Sequence, residues 1–145
     1  MTGSNLRLEG LSILVLEDEY ILADEARRML LSAGAEVVGP FGTAAEALAA
    51  VECKRPDCAV LDLNLGTGPD FGPARILRAH GVPVVFFSGY DEAIIPADFR
   101  ETHFLQKPIH MPMIVDIVAS ICRRRPAGAV ADGHPWRGED LQQRA

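Results

Sequence analysis

The sequence predicts an α/β domain in which five parallel strands form a doubly wound sheet with helices on both faces, the (βα)5 arrangement. Five short apolar runs recur along the 145 residues, and segments with helical periodicity separate them. Strands that alternate with helices pair in parallel, and strands covered on both faces are apolar throughout. The predicted strands are, in order, Leu11–Leu16, Val37–Val38, Cys58–Leu61, Val82–Phe87 and Phe104–Leu105.

The first two helices have clear signals at their ends. Apolar residues recur at helical spacing from Glu19 to Ala33, and Gly34 provides a stop directly afterwards. Thr43, followed three residues later by Glu46, forms a capping-box signature. The first helix is therefore predicted over Glu19–Ala33, and the second begins after Thr43.

Proline and glycine delimit the next two helices. A short third helix is predicted over Pro73–His80, because Gly81 and Pro83 end it. Pro112 suits the first turn of the last helix. Arg123–Arg125 then lie near its C-terminus, where positive charge is favourable.

The segment Asp91–Thr102 lacks a clear helical period, and Pro96 interrupts any helix there. The helix between the fourth and fifth strands is therefore predicted to be short, shifted or absent. We expect an N-terminal extension at residues 1–9 and one domain at residues 10–125. A flexible tail is expected at residues 126–145, too short for a second folded module.

Charge and hydropathy narrow the function classes. The 14 basic and 20 acidic residues give a net charge of −6, which opposes binding to a nucleic acid. No apolar run approaches the roughly 20 residues of a membrane span. The N-terminus also lacks the apolar core of a signal peptide. We therefore expect a cytoplasmic protein that binds neither nucleic acid nor membrane.

The residues directly after the apolar runs indicate a functional site. In an open parallel sheet, ligands bind beyond the carboxyl ends of the strands, where the strand order reverses. Taken singly, an acid there is an ordinary helix cap and a lysine is ordinarily solvated. Four strand ends with polar residues favour a shared cleft. These residues are Glu17-Asp18-Glu19, Asp62, Ser88 and Gln106-Lys107-Pro108.

Such a concentration of carboxylates favours a bound cation. Two like charges about 4 Å apart repel by about 4 kcal/mol at an effective dielectric constant of 20, so the cluster should bind a cation or take up protons. Mg²⁺ prefers oxygen ligands and commonly uses one or two carboxylates together with phosphate oxygens. We therefore expect a Mg²⁺ site, at which Mn²⁺ is an expected substitute.

Together these residues resemble the receiver domains of two-component response regulators. The resemblance spans about Leu11 to Arg124 and implies the CheY-like, flavodoxin-like fold with strand order 2-1-3-4-5. The matching residues are Glu17-Asp18, Asp62 within Leu61-Asp62-Leu63-Asn64, Ser88 and Lys107-Pro108.

The resemblance implies roles for the residues around the metal. Asp62 is similar to the family's phosphoacceptor and also to one of its metal ligands. Asp18 and the backbone carbonyl of Asn64 correspond to further direct Mg²⁺ ligands, and Glu17 to a ligand that acts through water. Lys107 is similar to the lysine that pairs with the phosphoryl group.

The resemblance also implies a switch. Ser88 is similar to the hydroxyl that hydrogen-bonds a phosphoryl oxygen, and Phe104 falls at the position of the switch aromatic. Tyr90 corresponds to a residue at the cleft rim that controls the access of water. The Lys107–Pro108 peptide bond is expected to be cis.

The stretch Phe87-Ser88-Gly89-Tyr90 is similar to the signature of the FAT GUY branch of single-domain receivers. Members of that branch often lack a regular fourth helix, in keeping with the weak helical signal around Pro96. Their usual partners are sensor kinases of the HWE and related classes. Phe86 departs from the small residue that the branch usually has near this position.

We therefore expect a phosphorelay protein that accepts a phosphoryl group and is not an enzyme. The expected donor is a sensor histidine kinase, with the HWE class as a candidate, or a phosphotransfer protein, and the output is contact with a downstream protein. One alternative is a haloacid-dehalogenase-like phosphohydrolase, although its usual second Asp would stand at Asn64. Another is a receiver-like binding scaffold that is not phosphorylated.

Overall fold

The sheet has the predicted number of strands and the predicted order. The computed structural model describes residues 7–66 and 68–124, so the expected tail and most of the expected N-terminal extension lie outside the described residues. All neighbouring strands pair in parallel, in the order β2-β1-β3-β4-β5. The strands are β1 Ser12–Leu16, β2 Glu36–Phe41, β3 Cys58–Leu61, β4 Val84–Ser88 and β5 His103–Gln106.

The predicted helices form within about one residue of their expected bounds. Thr43 caps α2, since its side-chain oxygen accepts a hydrogen bond from the backbone N–H of Glu46 at 3.3 Å. The α-helices of the described residues are α1 Tyr20–Ser32, α2 Ala44–Cys53, α3 Gly72–Ala79 and α4 Pro112–Arg124. None of the helices in this part of the chain is long and apolar enough to cross a membrane.

Side-chain alternation along the strands divides the core into two layers. On one face of the sheet, residues such as Val15 and Phe87 pack with α1 and α4. On the other face, residues such as Leu16 and Phe86 pack with α2 and α3. Leu8, in the segment expected as an extension, is fully buried in the first layer, and its N–H donates to the carbonyl oxygen of Ala33 at 2.8 Å.

No α-helix forms between β4 and β5, as the sequence predicts for this segment. Two 3-10 turns, Glu92–Ile94 and Ala97–Phe99, take its place. The Phe99 ring is 1% exposed and holds the second turn against the core. On its outer side, the Arg78 guanidinium lies 4.2 Å from the ring centroid and donates hydrogen bonds to Asp98. The turns are therefore attached to α3 by an aromatic anchor and an ion pair.

Two X-Pro peptide bonds of the described chain are cis. Lys107–Pro108 is cis, as expected, and so is Gly39–Pro40 in β2. The pairing register between β1 and β2 shifts at this place, between Leu14 and Leu16. Gly39 has φ +101°, and a Cβ there would lie 2.8 Å from the backbone nitrogen of Phe41. Glycine is therefore required at this point of the strand.

Candidate functional site

The ends of β1 and β3 bring three carboxylates together. The backbone N–H of Asp62 donates to the carbonyl oxygen of Leu16 at 2.8 Å, so the carboxyl ends of β1 and β3 lie side by side. One carboxylate oxygen from each of Glu17, Asp18 and Asp62 lies within 4.8 Å of the others. Glu17 and Asp62 are 2% and 5% exposed, whereas Asp18 is exposed to solvent. The sequence prediction that these acids meet is confirmed.

Lys107 completes the cluster from the end of β5. Its backbone N–H donates to the carbonyl oxygen of Ser88 at 2.8 Å, so the lysine is held beside the end of β4. Its Nζ lies 2.9 Å from Glu17 Oε1, 2.9 Å from Glu19 Oε1 and 3.3 Å from Asp62 Oδ2. Burial opposes its charge, but the neighbouring carboxylates of Glu17 and Glu19 outweigh burial and raise the pKa of Lys107. The lysine is therefore a permanent cation of this site.

The surroundings of Glu17 disfavour its ionised form. Burial raises its pKa from 4.5 to about 7, and the nearby Asp62 carboxylate adds to the rise, against the opposing effects of Glu19 and Lys107. Among the described residues, no donor directs a hydrogen bond at Glu17 Oε1, although Lys107 Nζ lies close to it. A buried carboxylate oxygen in this state favours a bound cation or a proton.

Asn64 organises the loop that follows β3. Its backbone N–H donates to Asp62 Oδ1 at 3.1 Å. Its side-chain oxygen accepts hydrogen bonds from the backbone N–H groups of Gly66 and Gly68, at 3.0 and 3.2 Å. The Asn64 side chain thus makes its hydrogen bonds within the loop, whereas the Asn64 backbone lies next to the Asp62 carboxylate.

An open cleft of about 450 Å³ lies over the carboxylates. Ser88 and Phe104 lie outside its lining. Ser88 is fully buried, and its Oγ accepts a hydrogen bond from the backbone N–H of Tyr90 at 3.0 Å. Phe104 is half-buried and packs against the core layer that also contacts Tyr90. The residues that line the cleft are Asp18, Glu19, Asp62, Asn64, Gly66, Gly89, Tyr90 and Lys107.

Glu19 lines the cleft, as its place among the strand-end residues predicts, but the sequence pattern indicates no role for it there. Its carboxylate pairs with Lys107, a residue 88 positions away in the chain. The only signal in the sequence is its place as the third acid of Glu17-Asp18-Glu19. An acid directly before a helix is ordinarily explained as a cap, so its contact with Lys107 depends on the fold.

The chain belongs to the response regulator receiver domain family. The family's model matches residues 13–119, which confirms the identification made from the strand-end residues. Members of this family are receiver modules of two-component signalling systems. The finer assignment to the FAT GUY branch stays a prediction.

Curated relatives include regulators that are longer than this chain. The phyllosphere-induced regulator PhyR of Methylorubrum extorquens is 32% identical over 111 residues, which cover 74% of this chain and 42% of that protein. The sensory transduction protein BceR of Halalkalibacterium halodurans is 26% identical over 116 residues, with coverage of 77% and 50%. The chain thus spans about half the length of the curated relatives it matches.

Solved structures of similar proteins have the same fold. SdrG of Pseudomonas melonis Fr1, in its BeF3-activated conformation, has a TM-score of 0.67 and 34% identity, with coverage of 77% of this chain and 95% of that one. PhyR of Brucella abortus has a TM-score of 0.74 and 26% identity, with coverage of 91% and 56%. The predicted CheY-like fold is therefore confirmed.

Proposed function

We propose that the chain accepts a phosphoryl group on Asp62, with a bound Mg²⁺ ion, and that phosphorylation changes a surface that binds other proteins. The observation that carries the proposal is the position of the Asp62 carboxylate. It is almost fully buried, lies 3.3 Å from a lysine ammonium and shares its site with two further carboxylates. A nucleophile beside fixed positive charge at the floor of an open cleft suits phosphoryl transfer.

In the proposed step, an oxygen of the Asp62 carboxylate forms a bond to phosphorus. The bond between phosphorus and the donor breaks at the same centre, so that a phosphorylated kinase histidine leaves as imidazole. The product is an acyl phosphate on Asp62. Lys107 stabilises negative charge on the phosphoryl oxygens, and the hydrogen bond from the Asn64 backbone orients the attacking carboxylate.

The carboxylates fit a divalent cation. Three acidic oxygens within 4.8 Å form an oxygen-rich donor set. Burial, together with the neighbouring Asp62 carboxylate, raises the pKa of Glu17 to about 7, and a bound cation would favour its ionised form. Asp18, Asp62 and the backbone carbonyl of Asn64 would bind Mg²⁺ directly, and Glu17 would bind it through water. The bound ion supplies charge neutralisation for the phosphoryl oxygens, and Mn²⁺ is the expected substitute.

Ser88 and Phe104 are proposed to transmit phosphorylation to the surface. The Ser88 hydroxyl is engaged by the backbone N–H of Tyr90, so turning toward a phosphoryl oxygen exchanges one hydrogen bond, worth about 1 kcal/mol, for a charge-assisted one of about 1.5–3 kcal/mol. Phe104, on the neighbouring strand, then takes the space that opens. Shifting the ratio of the switched to the resting conformation from 1:99 to 99:1 needs about 5.5 kcal/mol. Contacts other than that of Ser88 must therefore also favour the switched conformation.

The proposed partners follow from the same chemistry. A sensor histidine kinase or a phosphotransfer protein supplies the phosphoryl group, with the HWE class as the candidate kinase. The likeness to PhyR and SdrG is compatible with the FAT GUY branch. A phosphohydrolase of the haloacid-dehalogenase type is not favoured, because Asn64 stands where that chemistry needs a second Asp.

Intact-mass measurement tests the proposal. After incubation with acetyl phosphate and Mg²⁺, the protein should gain about 80 Da, the mass of one phosphoryl group. Asp62→Asn should abolish the gain. Asp70→Asn should keep it, because this exposed acid of the same loop lies outside the cleft lining. A wild-type protein without any gain would favour the unphosphorylated scaffold, and steady turnover of phosphate monoesters would favour the hydrolase.

A further inference from the structure

The ammonium group of Lys107 is surrounded by carboxylates in the resting cleft. Carboxylate oxygens of Glu17, Glu19 and Asp62 lie 2.9, 2.9 and 3.3 Å from its Nζ. Of the three N–H donors of the ammonium, two make hydrogen bonds, to Glu19 Oε1 and Asp62 Oδ2, while Glu17 Oε1 is a close ion-pair partner without a hydrogen bond. A phosphoryl oxygen that pairs with Lys107 must therefore compete with these carboxylates for the ammonium.

Glu19 is the carboxylate that leaves at the lowest cost. The side chains of Glu17 and Asp62 are 0% and 4% exposed, and moving the lysine away from either one leaves a buried charge unpaired, which is expensive. The side chain of Glu19 is 61% exposed. When it releases Lys107, its carboxylate returns to water.

The pairing with Lys107 is also the only polar contact that the described structure gives the Glu19 carboxylate. Glu19 is the N-cap residue of α1, but its side chain makes no capping hydrogen bond to the described helix. Its backbone N–H donates instead to Glu17 Oε2 at 2.9 Å. Helix capping therefore does not explain the acid at this position.

We propose that Glu19 is a positioning residue that holds Lys107 in the resting cleft and is displaced when a phosphoryl oxygen pairs with the lysine. The inference rests on the proposed function. Because Glu19 competes for Lys107, it slows phosphoryl uptake from small anionic donors.

The test is the rate of phosphorylation of the full chain by acetyl phosphate with Mg²⁺ at low salt, followed by intact mass. Glu19→Gln keeps the shape of the side chain and removes its charge. It should react about fivefold faster, equivalent to roughly 1 kcal/mol, the size of an exposed ion pair. Glu25→Gln is the matched control, because Glu25 is an exposed acid of the same helix that lies outside the cleft lining. It should react at the wild-type rate.

A double-mutant cycle with Lys107→Ala separates competition for the lysine from a general effect of charge. In the Lys107→Ala background, Glu19→Gln should leave the rate unchanged. An equal acceleration in both backgrounds, or a wild-type rate for Glu19→Gln alone, overturns the inference while the proposed function stands. A wild-type chain that takes up no phosphoryl group overturns the proposed function, and this inference with it.

Discussion

Replacing Glu17 by Gln is predicted to stabilise the metal-free protein above neutral pH. The pKa of Glu17 rises from 4.5 to about 7 in the folded chain, chiefly because of burial. At 1.36 kcal/mol per pH unit, this rise corresponds to about 3 kcal/mol that favours the protonated acid. The glutamine is neutral, and its side-chain oxygen can still accept the hydrogen bond from the backbone N–H of Glu19.

The sign of the pH dependence follows from proton binding. Below pH 4.5, Glu17 is protonated in both states, and folding carries no penalty from it. Between pH 4.5 and 7, the unfolded chain ionises first, so the folded state binds more protons and the free energy of unfolding falls as the pH rises. Above pH 7 the full penalty of about 3 kcal/mol applies to the wild type and is absent from Glu17→Gln.

Urea unfolding in EDTA, followed by circular dichroism at several pH values, measures this difference. The two free energies should diverge from pH 5 to 8, with Glu17→Gln the more stable, and Glu25→Gln should follow the wild type. Saturating Mg²⁺ should reduce the divergence, because a cation stabilises the ionised acid. Parallel curves for wild type and Glu17→Gln in EDTA would refute the reasoning.

Three further changes test other parts of the molecule. Asp18→Ala should weaken Mg²⁺ binding by at least about tenfold, and more than Glu17→Ala does, because a direct ligand provides both charge and coordination. Equal Mg²⁺ affinities of the wild type and Asp18→Ala in calorimetric titration would contradict this. Tyr90→Ala, and more so Tyr90→Glu, should shorten the lifetime of the phosphorylated protein without preventing phosphoryl uptake. The reason is that the Tyr90 ring lines the cleft, where it is expected to keep water from the acyl phosphate. Unchanged decay rates would rule out this shielding. Phe99→Ala should lower the free energy of unfolding by about 3–5 kcal/mol, the cost of truncating a buried Phe. A loss below about 1 kcal/mol in urea titration would show that the Phe99 ring does not anchor the 3-10 turns.

The central strands β1, β3 and β4 were predictable because their residues are buried on both faces of the sheet. The apolar run Cys58–Leu61 coincides with β3, because all four residues are buried and give a continuous hydrophobic signal. The edge strand β2 was predicted too short, over Val37–Val38. The strand extends over Glu36–Phe41. Its residues are only half-buried or exposed, so its hydrophobic signal in the sequence is weak.

The candidate site was predictable where it depends on strand ends and not where it depends on side-chain direction. Parallel pairing alone places Asp18, Asp62 and Lys107 at one edge of the sheet. The ion pair of Glu19 with Lys107 requires the three-dimensional path of both side chains. Likewise, the sequence places Ser88 at a strand end, but only the fold reveals that its hydroxyl is already bonded to the Tyr90 backbone.

The assignment of Asp62 as the phosphoacceptor is tested most directly by locating the modified residue. Borohydride reduction of the protein treated with acetyl phosphate and Mg²⁺ converts an aspartyl phosphate to homoserine, which peptide sequencing by mass spectrometry locates. We expect homoserine at position 62, the buried acid that lies 3.3 Å from the Lys107 ammonium. Homoserine at position 18 instead, or none at any position, would contradict the proposed function.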